Sequence, residues 1–262
     1  SDVTLTNNTF SNNTAKFGSG AFIDGPPTTN VNLTNNSFVG NTATTSGGAL
    51  YLYGYSATII TFTNNRFEDN TATSYGGAVF MELTSSQYTA SGNHYENNNA
   101  NTSGGGEYCK STGTTEYHVS NHLYLDNTAG FGGGLLLNMA DTANVSIMDS
   151  IFDSNSATTT GGGLYLDGPS GAVVLVSDNV FVRNSANFGG GSSLLGKQSQ
   201  FNVTSNTFTD NHASTNAGGI LLQLANAGSA SVTGDVLTSN TAKKGGGAYI
   251  FIENSVANVR NT

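Results

Sequence analysis

Glu68 and Glu96 stand 28 residues apart at the same point of a recurring pattern, and Asp69 follows the first of them. If that pattern stacks, two carboxylates come within one strand spacing of each other, and like charges that close invite a hard cation such as calcium. Glu68, Asp69 and Glu96 are therefore the candidate metal ligands, joined by Asp126 and Asp153 on following repeats; a solvated acidic face is the competing reading. His94, His118, His122 and His212 fall at four different phases, so stacking brings no two onto one row and they read as surface or turn residues. The chain has no G-x-S-x-G, no Walker loop and no Cys-His spacing, and its glycine clusters recur ahead of strands rather than helices. No catalytic residue is assigned, and no cofactor beyond that calcium.

Seven N-x-S/T sequons offer modification chemistry: Asn7, Asn12, Asn32, Asn35, Asn101, Asn144 and Asn202. Many arise by chance in an Asn- and Thr-rich chain, but Asn32 and Asn202 fall on an outward strand position where a glycan is sterically free. Cys109 is the only cysteine, so it forms no internal disulfide; it reads as a small apolar strand residue or as a thiol able to pair between chains.

These residues are carried by a repeat. An aromatic or leucine recurs at Phe10, Phe38, Phe67, Tyr95, Tyr124, Phe152, Phe181, Phe208 and Leu237, spaced 27 to 29 residues apart. Each has asparagine three residues on: Asn13, Asn41, Asn70, Asn98, Asn127, Asn155, Asn184, Asn211 and Asn240. Alanine follows two residues later, then glycines, then an apolar strand. A fixed period of this length is the mark of a solenoid.

Before each anchor, apolar residues alternate with polar ones, as in Val31-Asn32-Leu33, which reads as a strand with one face to a core and one to water. A second short strand carries the anchor, and a third follows the glycines. The expected fold is all-β: one continuous parallel β-helix over residues 1–262, about nine coils of three short strands, forming a rod on the order of 40 Å long. The asparagines form a structural ladder at a turn, where Asn tolerates a left-handed backbone. Length variation collects between the third strand and the next first strand, as at Asp24-Gly25-Pro26-Pro27 and Gly168-Pro169-Ser170-Gly171. The chain starts at a strand and Thr262 falls mid-unit, which reads as a segment of a longer array or a stacking protomer.

In the third strand, the position eight after the alanine is always apolar (Ile23, Tyr51, Phe80, Tyr108, Leu137, Tyr165, Leu194, Leu221, Ile250) and is read as core. Its neighbours should then face out, interrupted by Asp24, Glu107 and Ser193. They include Leu52, Met81, Leu166, Leu195, Leu222 and Phe251, which become the candidate interface for self-association.

A net charge of −9 with eight Lys plus Arg leaves no basic stripe, which argues against nucleic acid as a partner. The longest apolar runs are far too short to span a bilayer, and no signal peptide is visible, so the chain reads as soluble.

The F-x-x-N pairs (Phe10/Asn13, Phe38/Asn41, Phe67/Asn70, Phe152/Asn155, Phe181/Asn184, Phe208/Asn211) and Gly47-Gly48-Ala49-Leu50 and Gly76-Gly77-Ala78-Val79 resemble the F-x-x-N and G-G-A-(I/L/V) repeats of polymorphic outer membrane proteins, passenger regions of autotransporter adhesins. The resemblance implies a right-handed β-helix of the pectin-lyase-like kind, displayed at the cell surface or outside it, with a role in adhesion. The function expected is a non-enzymatic structural or adhesive module of a surface adhesin or fibrous assembly, a glycoprotein whose partners are copies of itself or a surface protein or glycan. Two alternatives are a pectate-lyase-like enzyme and an ice-binding protein. The enzyme needs clustered acids with a basic residue, whereas Arg66, Arg183 and Arg260 sit at different phases. For ice, Asn99 and His212 interrupt the threonine file Thr14, Thr42, Thr71, Asn99, Thr128, Ser156, Ser185, His212 and Thr241.

Overall fold

Alternation such as Val31-Asn32-Leu33 does lay down strands: in the computed structural model, which describes residues 1–139, 142–168 and 171–260, Val31 and Leu33 are buried while Asn32 looks outward. Equivalent strands of successive repeats pair parallel and in register, Val3 on Val31 on Ile60 on Tyr88 on Tyr117. The result is an all-β parallel solenoid of about nine turns. Pro169, Ser170 and Thr262, part of the loop and end-point readings, lie outside the described residues.

A full turn has four strands, not the three expected, and the ninth turn meets the third sheet only through isolated bridges at Thr241 and Lys244. Among the described residues the four sheets hold ten, nine, eight and nine strands. The first runs from Asp2–Thr6 to Val256–Arg260, the second from Thr9–Ser11 to Val236–Thr238, the third from Thr14–Phe17 to His212–Asn216 and the fourth from Ala21–Gly25 to Ala248–Glu253. The extra sheet is built from segments such as Thr42–Ser46, where Ala43 is buried between outward threonines. Two or three turns of Thr-Ala-Thr alternation are too brief and too weakly apolar to register as a strand in sequence.

The anchors form one stacked column inside the rod. Consecutive rings from Phe10 to Phe208 lie with centroids 4.6 to 5.0 Å apart and planes within 11°. That separation is the strand spacing of about 4.8 Å, so the sheet, rather than ring preference, imposes it. Phe152 is fully buried between Tyr124 and Phe181. Phe152→Ala is expected to lower stability by about 3–5 kcal/mol, read as a drop in the urea midpoint at unchanged slope.

Each ladder asparagine from Asn13 to Asn211 donates its backbone N–H and its Nδ2 to the Oδ1 of the next, as Asn70 does to Asn98 at 3.0 Å. Nδ2 also donates to an anchor carbonyl one turn back, as Asn98 does to Phe67 O at 2.9 Å. The ladder residue is not the one in the left-handed region. That conformation belongs to the residue before it, among them Asn12, Asp69, Asn97, Asp126 and Arg183, all with φ near +55°. The turn thus splits two tasks: one residue bends the chain and the next ties it to its neighbours.

A second ladder, unrecognised in sequence, ties the corner between the first and second sheets. It runs Asn8, Asn36, Asn65, Asn93, His122, Ser150, Asn179, Asn206 and Asp235, each after Asn8 offering a side-chain acceptor to the residue before it in the row, with a single bond at each step from Asn93 to Asn179. His122, Ser150 and Asp235 break the asparagine monotony, which hides the row from a search for identical residues.

Candidate interaction faces

Outer faces of the first and third sheets are largely Thr, Ser and Asn, that of the second mixes charged residues with exposed Ile151, Val180 and Val236, and the threonine file from Thr14 to Thr241 is continuous in register across the third sheet, with Asn99 and His212 within it. The fourth sheet differs. Its outward row is Phe22, Tyr51, Phe80, Tyr108, Leu136, Tyr165, Ser193, Leu221 and Tyr249. Rings from the adjoining corner and the next outward row, Phe17, Tyr75, Phe131 and Tyr53, pack over it edge-on or tilted. Tyr51, Phe80, Tyr108 and Leu136 form a second, outer apolar cluster, and the Tyr51 hydroxyl bonds that of Tyr53 at 2.8 Å. Burial among these rings and the nearby Glu82 push the Tyr51 phenol well above its ordinary range. Phe22, Tyr55 and Tyr75 keep 49%, 45% and 39% of their surface in solvent.

The phase expected for this strand is therefore inverted in most turns. Leu52, Met81, Leu166 and Leu222 point into the main core with no exposed surface and form no interface. Leu195 and Phe251 do lie on the outward side, half-buried and exposed respectively. The physical reason is a one-residue difference in corner length: Ala15-Lys16-Phe17-Gly18 is a residue shorter than Ala43-Thr44-Thr45-Ser46-Gly47, and the pairing shifts register there. Counting from the alanine therefore mixes inward Ile23, Leu137, Leu194 and Ile250 with outward Tyr51, Phe80, Tyr108, Tyr165 and Leu221. Glu107, read as outward, is instead fully buried.

The candidate cation ligands do not converge. Glu68 and Glu96 are register partners, but Glu68 pairs with Arg66, and Glu96 lies 3.3 Å from His94. Asp69, at the left-handed corner position, accepts from Asn97, and Asp153 pairs with Arg183. Among the described residues no group of three or more His, Cys, Asp or Glu is arranged to hold a metal ion. His122 is not a surface histidine: it is buried, and burial pushes its pKa down to about 3. Cys109 is fully buried as well, its thiol pushed up by burial, so it is not available to pair between chains.

The sequon asparagines Asn7, Asn12, Asn35, Asn101, Asn144 and Asn202 are exposed; Asn32 is half-buried in a row between Thr4 and Thr61. Asn7, Asn12 and Asn35 occupy left-handed corner positions, where the side chain projects from a turn.

The segments that carry anchor, ladder asparagine, buried alanine, glycine corner and fourth-sheet strand are also those that compare with known proteins. Three of them match the Chlamydia polymorphic membrane protein repeat. They are residues 37–53, 66–82 and 149–167. Every match spans the second, third and fourth sheets of one turn and leaves out the first-sheet strand, so the repeat coincides with the part of the turn whose corners are fixed by asparagine and glycine. No curated protein and no solved structure matches the chain. No helix among the described residues is long and apolar enough to cross a membrane.

Proposed function

We propose that this chain is a non-catalytic, rod-forming module of an extracellular or cell-surface protein, adhesive or fibrous in role, whose exposed faces rather than any cleft do the work. The observation that carries the reading is the match of three turns to the polymorphic membrane protein repeat, at the positions that build the rod. The outward aromatic face of the fourth sheet, with Phe22 and Tyr55 beside the variable Asp24-Gly25-Pro26-Pro27 corner and Tyr75 at the opposite corner, is the surface assigned to ligand contact, because exposed aromatic rings bind partners well. A right-handed winding belongs to the same reading, since connections between parallel strands of one sheet are overwhelmingly of that hand.

Glycan and host-cell binding arrays test it. The wild type should bind at least one surface ligand, and Phe22→Ser with Tyr75→Ser should weaken that binding while leaving the circular-dichroism melt in place. Absence of any bound ligand, or binding indifferent to both the aromatic face and the variable corner, would overturn the adhesive reading. Depolymerisation of an acidic polysaccharide with calcium would overturn the non-catalytic one.

A further inference from the structure

Glu107 stands in an inward column otherwise made of Ala21, Leu50, Val79, Leu135, Leu164, Ser192, Ile220 and Ala248. Around this one carboxyl the neighbouring columns change composition together. The anchor column, Phe elsewhere from Phe10 to Phe208, becomes Tyr95 and Tyr124. The first-sheet column of Val31, Ile60, Val145 and Val174 becomes Tyr88 and Tyr117 at the same two turns. The second ladder switches from asparagine to His122 there too. All four tyrosines are fully buried.

The contacts form a chain. Tyr117 donates to Glu107 Oε1 at 2.6 Å and Tyr124 to Oε2 at 3.3 Å. His122 Nδ1 lies 3.2 Å from the Tyr124 hydroxyl, and its Nε2 lies 3.1 Å from Asn93 Nδ2. Because that amide nitrogen is a donor, Nε2 accepts and Nδ1 carries the hydrogen. Tyr88 and Tyr95 have hydroxyls buried close enough to the carboxyl to interact with it, yet neither makes a hydrogen bond of ordinary geometry. A buried, unpaired hydroxyl is unfavourable, and two at one place need a reason.

We propose that Glu107 and these four tyrosines form a proton-binding site inside the rod, where Tyr88 and Tyr95 are spare donors that turn onto the carboxylate when the proton leaves for solvent. An ionised carboxyl is acceptor-only with room for about four hydrogen bonds, one for each phenol. The neutral acid carries a hydrogen of its own and needs fewer donors. Burial raises the Glu107 pKa above its ordinary 4.5, and the four phenols, Tyr117 foremost, oppose that rise. The other titratable groups facing the site are Cys109, on the same strand, and His122, through Tyr124.

The two ends of the chain have opposite pH signatures. Glu107 holds its proton more tightly folded than unfolded, so its contribution is full below 4.5 and is lost as pH rises through the folded value. His122 is depressed, so its contribution is full above 6.5 and is lost as pH falls toward about 3.

Carbon-13 NMR of the Glu107 carboxyl in the intact chain should give a titration midpoint above those of the other glutamates. Tyr88→Phe with Tyr95→Phe should raise its proton affinity further, by roughly tenfold, which a merely space-filling role for those rings would not do. In denaturation across pH, the wild type should lose stability as pH rises above 4.5, and Glu107→Gln should remove that decline. Titration alongside the exposed glutamates, an unmoved midpoint in the double variant, or parallel curves for wild type and Glu107→Gln would each overturn the proposal; the NMR midpoint decides the matter even if Glu107→Gln does not fold.

Discussion

Gly77→Ala is expected to stop the solenoid from closing. A Cβ on Gly77 would stand 2.2 Å from the carbonyl oxygen of Gly105 and 2.7 Å from the backbone nitrogen of Asn99, both on the next turn. Neither atom is the end of a flexible side chain, so relief requires prising two turns apart. The same approach recurs at Gly48, Gly105, Gly133, Gly162, Gly190 and Gly218, each pressed against a backbone oxygen of the following turn at 1.9 to 2.4 Å or, for Gly218, 2.5 Å. Overpacking against side chains typically costs about 1–3 kcal/mol, and against two backbones the loss should reach the top of that range or exceed it. Gly228→Ala is the control: its nearest neighbours lie at 3.4 Å or beyond, so it should fold with the wild-type urea midpoint. A Gly77→Ala protein as stable as Gly228→Ala would mean the corner is looser than described.

Asn98→Ala should be nearly as damaging. The side chain accepts from the backbone and side-chain nitrogens of Asn70 and donates to Phe67 O and Asn127 Oδ1, all buried. Alanine satisfies none of these groups, and each orphaned buried polar group costs about 1–3 kcal/mol, so a loss on the order of 3–5 kcal/mol is expected. Asn98→Asp should not rescue it, because a carboxylate accepts from Asn70 but cannot donate to Phe67 O or Asn127. Hydrogen exchange should show the loss concentrated in the turns flanking residue 98. Uniform protection with an unchanged melt would contradict the ladder's role.

What the sequence made legible was whatever repeats as an identity. The Phe67–Tyr95–Tyr124 column and the Asn70–Asn98–Asn127 ladder could be read directly, because stacking demands the same shape or the same amide at every turn. Features that tolerate substitution were hidden. The second ladder accepts His122 and Ser150 because one acceptor atom suffices at each step: His122 Nε2 takes the Asn93 side-chain amide and Ser150 Oγ takes the His122 backbone N–H. The short third sheet is not legible because Thr42–Ser46 offers only one buried apolar residue, Ala43, to mark its period. The fourth-sheet phase was lost at corners where Phe17 and Phe131 replace a longer loop, since a single omitted residue turns every later side chain to the opposite face. Glu107 was misread for the same reason. A carboxylate in an apolar strand reads as outward until the four tyrosines around it are known to be on neighbouring turns.

Every backbone bond between turns lies along the rod, while the covalent chain winds around it. Tension applied to the two ends of the nine turns therefore loads one turn's bonds at a time, like a spring peeled from its end. Each released turn of about 28 residues should lengthen the tether by roughly 95 Å, giving a regular sawtooth of force whose tallest tooth marks the turns tied by Tyr117, Tyr124 and Glu107.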